Sequence, residues 1–262
     1  MTIRVAVCGA LGKMGKEVVN TVVNDPDLEL VGVVDRMAQK NATIATTRAE
    51  LPLHTSLKIM LAESKPDVCV DFTHPDTVLE NTLAIIHAHC RPVIGTTGLS
   101  ESDLQKISAA LTKHNIGGIV APNFAIGAVL LMKFAQQASK YFDHAEIIEF
   151  HHNQKADAPS GTAIKTAELM AASRSLFGAT NSAEKESCKG ARGGVGPAGI
   201  HIHSVRLPGL VAHQEVIFGA QGQMLTIRHD SIDRTSFMPG VAMACKKVPH
   251  VHGLIYGLEH LL

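Results

Sequence analysis

The densest cluster of reactive side chains is Glu149-Phe150-His151-His152-Asn153-Gln154-Lys155-Ala156-Asp157-Ala158-Pro159-Ser160-Gly161-Thr162-Ala163. Two histidines close an apolar, strand-like run, and a lysine follows within the next turn of chain. Asp157-Ala158-Pro159 then breaks the chain, and Ser160 carries the hydroxyl that caps helices. The first amides of a helix have no partner inside it and attract anions such as carboxylates; here they would belong to Gly161 and Thr162. Imidazole and ammonium groups nearby supply proton donors and positive potential. The chemistry this spacing fits is recognition of a small anionic substrate that must receive a proton. Taken alone, the same residues also suit a plain capped helix flanked by surface histidines.

A second group lies at the start of the chain. The β-branched run Ile3 to Cys8 passes directly into Gly9-Ala10-Leu11-Gly12-Lys13-Met14-Gly15, and Met14, Val18, Val19, Val22 and Val23 then recur at helical spacing. Glycines permit a tight turn and let the backbone approach a pyrophosphate at the helix start. The spacing is G-x-x-G-x-x-G rather than G-x-G-x-x-G, so the turn alone says little. Asp35 adds weight. It ends the next apolar run, 20 residues beyond Gly15, where an acid accepts hydrogen bonds from the adenosine ribose. Asp35 would repel a 2′-phosphate, and Arg36 would bind one or simply be a solvated arginine. The pair therefore predicts use of NADH, NADPH or both.

Gly95-Thr96-Thr97-Gly98 and Ala121-Pro122-Asn123-Phe124 each follow a short strand signal. In a doubly wound sheet ligands lie beyond the carboxyl ends of strands, where the backbone of these loops could hold the nicotinamide ribose and carboxamide; both also read as simple turns. Lys189 and Arg192 sit among Gly190, Gly193, Gly194 and Gly196 in a basic loop that could close over the same anion or be solvated. His201 and His203 face one side of a strand. No third ligand accompanies them, and no metal is expected.

These residues need a scaffold. Over the first 120 residues strand and helix signals alternate, which predicts a parallel sheet with helices on both faces. After Pro122 the pattern changes. Ile126 to Tyr141 reads as a long helix, Ala145 to His152 as a strand, Gly161 to Leu176 as a helix and residues 178–198 as a long loop. Gly199 to Leu207, Val211 to Phe218 and Gln223 to Asp230 follow as closely spaced strands, which predicts antiparallel or mixed pairing. The last thirty residues read as helix. The expected fold class is α/β: an N-terminal Rossmann-type doubly wound parallel sheet plus a C-terminal α+β domain with a mixed sheet. The expected domains are a dinucleotide-binding domain at 1–123, completed by 236–262, and a mixed-sheet domain at 124–235 that carries the His151 to Thr162 cluster.

Composition sets outer limits. The chain has 262 residues, 45% of them hydrophobic and 18% charged, and its 24 basic and 24 acidic side chains cancel. A sizeable core is available, and there is no global basic field for nucleic acid. Trp is absent and Tyr occurs twice, which disfavours aromatic stacking platforms. The longest apolar run, Ala125 to Met132, is far short of the roughly 20 residues a membrane helix needs, so no membrane partner is expected. The chain enters a strand pattern at Ile3, so no leader is expected ahead of the fold. Cys8, Cys69, Cys90, Cys188 and Cys245 form no C-x-x-C pair and read as free thiols of a reducing cytoplasm.

The sequence resembles the 4-hydroxy-tetrahydrodipicolinate reductase (dihydrodipicolinate reductase) family over essentially its whole length. The likeness rests on Val7 to Gly15, Asp71-Phe72-Thr73, Gly95 to Gly98, Ala121 to Phe124, Glu149 to Ala163, His203-Ser204-Val205-Arg206-Leu207-Pro208-Gly209 and Glu215-Val216-Ile217-Phe218-Gly219. The resemblance implies that His151 gives or takes a proton, that Lys155 donates one, and that His152, Gly161 and Thr162 bind the substrate. It implies that Gly9, Ala10, Leu11, Gly12, Lys13, Met14, Asp35, Gly95, Thr96, Thr97, Ala121, Pro122, Asn123 and Phe124 hold the dinucleotide and that Arg36 meets the 2′-phosphate of NADPH. It further implies hydride reduction of a small heterocyclic dicarboxylate in the diaminopimelate route to lysine, a site between two domains, and a homotetramer assembled through the sheets. A related amino-acid dehydrogenase, such as an aspartate dehydrogenase, would share the glycine turn but has no reason to carry H-H-x-x-K before S-G-T. A non-catalytic dinucleotide sensor would need a partner-binding element, such as a basic helix-turn-helix, and none is visible.

Overall fold

The β-branched run at the start of the chain forms β1 (Ile3–Cys8), in which Val5, Ala6 and Val7 are wholly buried. The protein is described by a computed structural model that covers residues 2–39, 41–178 and 185–262. Helix α1 (Lys13–Asn24) turns Val18, Val19, Val22 and Val23 inward, as its spacing predicts. The chain continues through β2 (Leu28–Val34), β3 (Thr43–Ala45), β4 (Glu50–His54), α2 (Leu57–Ser64), β5 (Val68–Asp71), α3 (Pro75–His87), β6 (Arg91–Ile94), α4 (Glu101–His114) and β7 (Gly117–Val120). Ser100 and Asp103 close a reciprocal capping box at the start of α4. Next come α5 (Ile126–Ala138), β8 (His144–His151), α6 (Gly161–Ser173), β9 (Gly194–Val195), β10 (His201–Arg206), β11 (Ala212–Ala220) and β12 (Gln223–Ser231), then α7 (Met238–Lys247) and β13 (Gly253–Tyr256).

The chain divides into two compact units, Met1–Phe124 with Phe237–Leu262, and Ala125–Ser236. The first is built on an eight-stranded sheet of order β13-β7-β6-β5-β1-β2-β4-β3. Every pairing is parallel except β3 with β4. The winding direction reverses between β1 and β5, the switch point at which doubly wound sheets bind ligands. Cys8 pairs with Asp71, Asp71 with Ile94 and Ile94 with Val120. Four strand ends, and the loops that leave them, therefore lie side by side along one edge.

The second unit carries a five-stranded sheet of order β12-β11-β8-β10-β9, in which β8 and β10 are parallel and the other pairs antiparallel. Ile202, Ile147 and Val216 stand side by side on three adjacent strands. All three are buried, on the face that α5 and α6 cover. Among the described residues no helix is long and apolar enough to cross a membrane.

Several elements depart from the sequence reading. The long helix ends at Ala138 instead of Tyr141, and α6 ends at Ser173 instead of Leu176. Residues 179–184 of the expected long loop lie outside the described residues, and Gly194–Val195 of that loop form a short edge strand. The tail is not all helix: Gly253 to Tyr256 add a parallel strand beside β7. A four-residue apolar run carries no period that separates strand from helix. The β3–β4 hairpin was likewise too short and too polar to register as strand.

Candidate active site

Glu149 and His151 are two residues apart on β8, so they project to the same face. The sheet register places Arg206 of β10 opposite His151, and Ser204 opposite Glu149. The Glu149 side chain has no solvent exposure. Its Oε2 lies 2.5 Å from His151 Nδ1 and accepts from Arg206 Nη1 at 2.8 Å. Its Oε1 accepts from Arg206 Nη2 at 2.7 Å and from the Ser160 amide at 3.2 Å. Burial pushes the Glu149 carboxyl up, but hydrogen bonds from His151, Arg206 and Ser204 outweigh it and hold the group down at about 2. The anion is thus bound by its neighbours and not by water.

Arg206 also reaches the next segment. Its Nη2 donates to the Asp157 carbonyl at 2.8 Å. The Asp157 carboxylate grips Lys155 Nζ at 2.7 and 2.9 Å, and this ammonium holds the carboxyl below its usual range. A cis peptide joins Ala158 and Pro159. Ser160 then caps α6 by accepting the Ala163 amide at 3.2 Å. The helix start faces open space, since a methyl group added at Gly161 would meet nothing within 4 Å. His151, Lys155 and the Ser160 cap of α6 are therefore tied into one network through Glu149, Arg206 and Asp157. His152 is exposed on the same turn. Sequence reading did not single out Glu149 or Arg206 as functional. The i, i+2 spacing of Glu149 and His151 was the available signal for the first.

The basic loop behaves differently. Arg192 Nη2 donates to Glu146 Oε1 at 2.6 Å, and His203 Nε2 lies 2.7 Å from Glu146 Oε2. His201 Nδ1 lies 2.6 Å from the Arg192 carbonyl. Glu146 is three residues before Glu149 and so projects from the opposite face of the sheet. Arg192 and both histidines are engaged there, away from His151, which corrects the expectation that this loop closes over the same anion. Lys189 is exposed. Among the described residues no group of three or more His, Cys, Asp or Glu is placed to hold a metal ion.

In the first unit, Gly9 adopts φ +78° and a Cβ there would stand 2.5 Å from the Phe72 carbonyl oxygen. A Cβ on Gly15 would stand 1.9 Å from the Gly9 oxygen, so the turn is too tight for any other residue. Gly12 precedes α1 with no side-chain cap, which leaves the first amides of the helix to an anion. A groove of about 300 Å³ is lined by Gly9, Gly12, Asp35, Arg36, Thr73 and Asn81 among others. Leu11, Lys13 and Met14 complete the turn, while Ala10 is buried beneath it. Asp35 has a structural task as well: Oδ2 accepts the Leu11 amide at 3.0 Å and Oδ1 the Met37 amide at 2.9 Å.

The neighbouring loops are fixed by Asp71, a wholly buried acid that sequence reading passed over as a ligand. Its Oδ1 accepts the Thr96 hydroxyl at 2.6 Å and its Oδ2 accepts Asn81 Nδ2 at 3.0 Å. Its carbonyl takes the Gly95 and Thr96 amides. Thr97 is exposed. The Ala121 amide donates to the Ile94 carbonyl at 3.0 Å. Phe124 is buried with its ring 5.8 Å from that of Phe72, Pro122 is exposed and Asn123 is half-buried. The tight glycine turn, the uncapped helix start and the Asp35–Arg36 rim together fit the phosphates and ribose of a dinucleotide.

A doubly wound unit with a nucleotide turn at its switch point, carried on the same chain as a mixed-sheet unit bearing a protonatable cluster, defines a pyridine-nucleotide oxidoreductase. The particular family follows from comparison with known proteins. Residues 3–124 match the family model for the N-terminus of dihydrodipicolinate reductase and residues 127–262 the model for its C-terminus. The chain is 50% identical to 4-hydroxy-tetrahydrodipicolinate reductase of Synechocystis sp., covering 99% of this chain and 98% of that one. It is 51% identical to the enzyme of Listeria monocytogenes, covering 99% of each. A dipicolinate-bound dihydrodipicolinate reductase from Paenisporosarcina sp. TG-14 superposes with a TM-score of 0.90 at 47% identity over the full length of both chains. An amine dehydrogenase from Mycobacterium smegmatis, 13% identical with a TM-score of 0.69, shares the fold. The chain belongs to the dihydrodipicolinate reductase family.

Proposed function

We propose that this chain reduces 4-hydroxy-tetrahydrodipicolinate to tetrahydrodipicolinate in the diaminopimelate route to lysine, with NADH, NADPH or both as reductant. The observation that carries the reading is the network joining His151 and Lys155 to the open start of α6. It sets two proton-bearing groups and an anion cradle on one short segment. The dipicolinate bound by the Paenisporosarcina relative is a planar heterocyclic dicarboxylate, the class of ligand such a cradle suits. Gly161 and Thr162 receive one carboxylate on their amides, and His152 adds a polar contact. His151 gives or takes the proton and Lys155 donates one. Their positive potential stabilises charge that develops on the substrate. Gly9 through Met14, Asp35, Arg36, Gly95 through Thr97 and Ala121 through Phe124 hold the dinucleotide. When bound, the reduced nicotinamide supplies the hydride. We assign nucleotide binding to 1–123 with 236–262, and substrate binding and assembly to 124–235.

The face of the second sheet opposite α5 and α6 carries Phe150 with Arg228 stacked 5.3 Å over its ring, and toward the other end of β12 Met224 stands 77% exposed. This face is our candidate for the homotetramer contact, and the cytoplasm is the compartment we assign. Absorbance loss of NADH or NADPH, with substrate made in place by a synthase, tests the activity. Absence of turnover with both nucleotides would refute it. Light scattering of the eluted protein tests the tetramer.

A further inference from the structure

We propose that Glu149 is the positioning residue of this site: it fixes the His151 ring and sets it against the start of α6, with Arg206 as its counter-ion. The inference rests on the proton-exchange reading of His151 above and adds how that ring is held.

The geometry leaves the carboxylate little freedom. Oε2 meets His151 Nδ1 and Arg206 Nη1, while Oε1 meets Arg206 Nη2 and the Ser160 amide. A carboxylate is acceptor-only, so the nitrogen facing it carries a hydrogen. Nδ1 is therefore the protonated nitrogen, and Nε2 is the one that exchanges a proton with substrate. When Nε2 also carries a proton, the ring is a cation beside a buried anion. When the Nε2–H bond breaks and the proton moves to substrate carbon, the ring keeps its Nδ1–H and stays in place. A proton from water then restores Nε2–H. Through Ser160 the same carboxylate bonds the residue that caps α6, so proton donor and anion cradle share one anchor. Arg206 is bidentate to Glu149, which removes rotation of the carboxylate about its own axis as an alternative. The arrangement exceeds what a structural ion pair requires. A buried pair replaced by apolar groups often costs little stability, whereas a ring held by one nitrogen cannot be replaced without freeing it.

The test uses the full chain and three variants, Glu149→Gln, His151→Gln and the double variant Glu149→Gln/Arg206→Met. Turnover, Michaelis constants, dipicolinate affinity and the ¹⁵N shifts of the His151 ring are measured. In Glu149→Gln the turnover number should fall about 10- to 100-fold, less than the loss in His151→Gln, with NADH and NADPH affinity within about twofold of the parent. The His151 ring should change from a single Nδ1–H tautomer to a mixture, because glutamine offers it either an oxygen or an NH₂ group. A merely structural Glu149 would lower the melting temperature and leave tautomer and turnover alone. That result, with His151→Gln inactive, overturns this inference by itself. Normal turnover in His151→Gln overturns the proton-exchange reading and this inference with it. The double variant removes the buried anion together with its half-buried counter-ion and guards against misfolding of the single one. It should be folded, slow and mixed in tautomer, and parent-like turnover in it would likewise overturn the proposal.

Discussion

Replacing Asp35 separates its hydrogen bond to the glycine turn from the ribose-binding role we propose for the same carboxylate. Oδ2 receives the Leu11 amide from the glycine turn at 3.0 Å, and the remaining lone pairs face the groove that Arg36 also lines. A hydrogen bond to a charged group contributes about 1.5–3 kcal/mol, and the lower end applies to a site as open as this one. In Asp35→Ala, loss of the Leu11 bond loosens the turn for every dinucleotide and should weaken both cofactors about tenfold, at about 1.4 kcal/mol per decade. NADH also loses a ribose bond of similar size, so its dissociation constant should rise about 100-fold. NADPH gains relief from repulsion between the carboxylate and its 2′-phosphate, and its change should stay within about tenfold. Arg36→Ala should do the reverse, weakening NADPH about tenfold while sparing NADH, because the exposed guanidinium takes no part in the turn. The parent should then use both cofactors within about a hundredfold of each other. The assay is fluorescence titration of each reduced nicotinamide into the three proteins. Equal losses for both cofactors in both variants would mean that neither side chain reads the ribose. Unchanged affinity throughout would place both outside the adenosine site. Improved NADPH binding in Asp35→Ala would refute the turn-supporting role.

Three further outcomes are open to measurement. His151→Gln should reduce the turnover number about 10²–10⁴-fold with dinucleotide affinity unchanged, read by steady-state kinetics beside fluorescence titration. Lys155→Ala should damage both substrate affinity and turnover, and Thr162→Val should chiefly raise the Michaelis constant; dipicolinate binding as tight as the parent's in both would misplace the carboxylate. Glu149, held at about 2 against an ordinary 4.5, contributes about 3 kcal/mol of stability at 1.36 kcal/mol per pH unit. A lowered carboxyl stabilises fully above its unfolded value, so this contribution should be present above about pH 4.5 and fade as pH falls toward about 2. Urea midpoints across that range check it, and Glu149→Gln should flatten the curve.

What could be read without coordinates divides by distance along the chain. The alternation of strands and helices, the tight glycine turn, the cap at Ser160 and the grouping of His151, Lys155 and Gly161 are all local, and local spacing is what periodicity and turn chemistry report. The short elements escaped because their length carries no period: β13 is four residues and β3 is three. The partners of the site escaped for another reason. Arg206 lies 57 residues from Glu149, and nothing near it in the chain marks it as the counter-ion of a buried acid. The register of β10 against β8 creates that pairing. Arg192 shows the same effect with opposite consequence. Its loop reads as a cover for the substrate, yet Glu146, which also holds His203, engages Arg192 on the other face of the sheet. Asp71 reads as the end of an ordinary strand, yet two loops and helix α3 hang hydrogen bonds on it. In each case the residue types that do chemistry are visible in the sequence. Which acid holds which base is settled by strand register, and register is a property of the folded sheet.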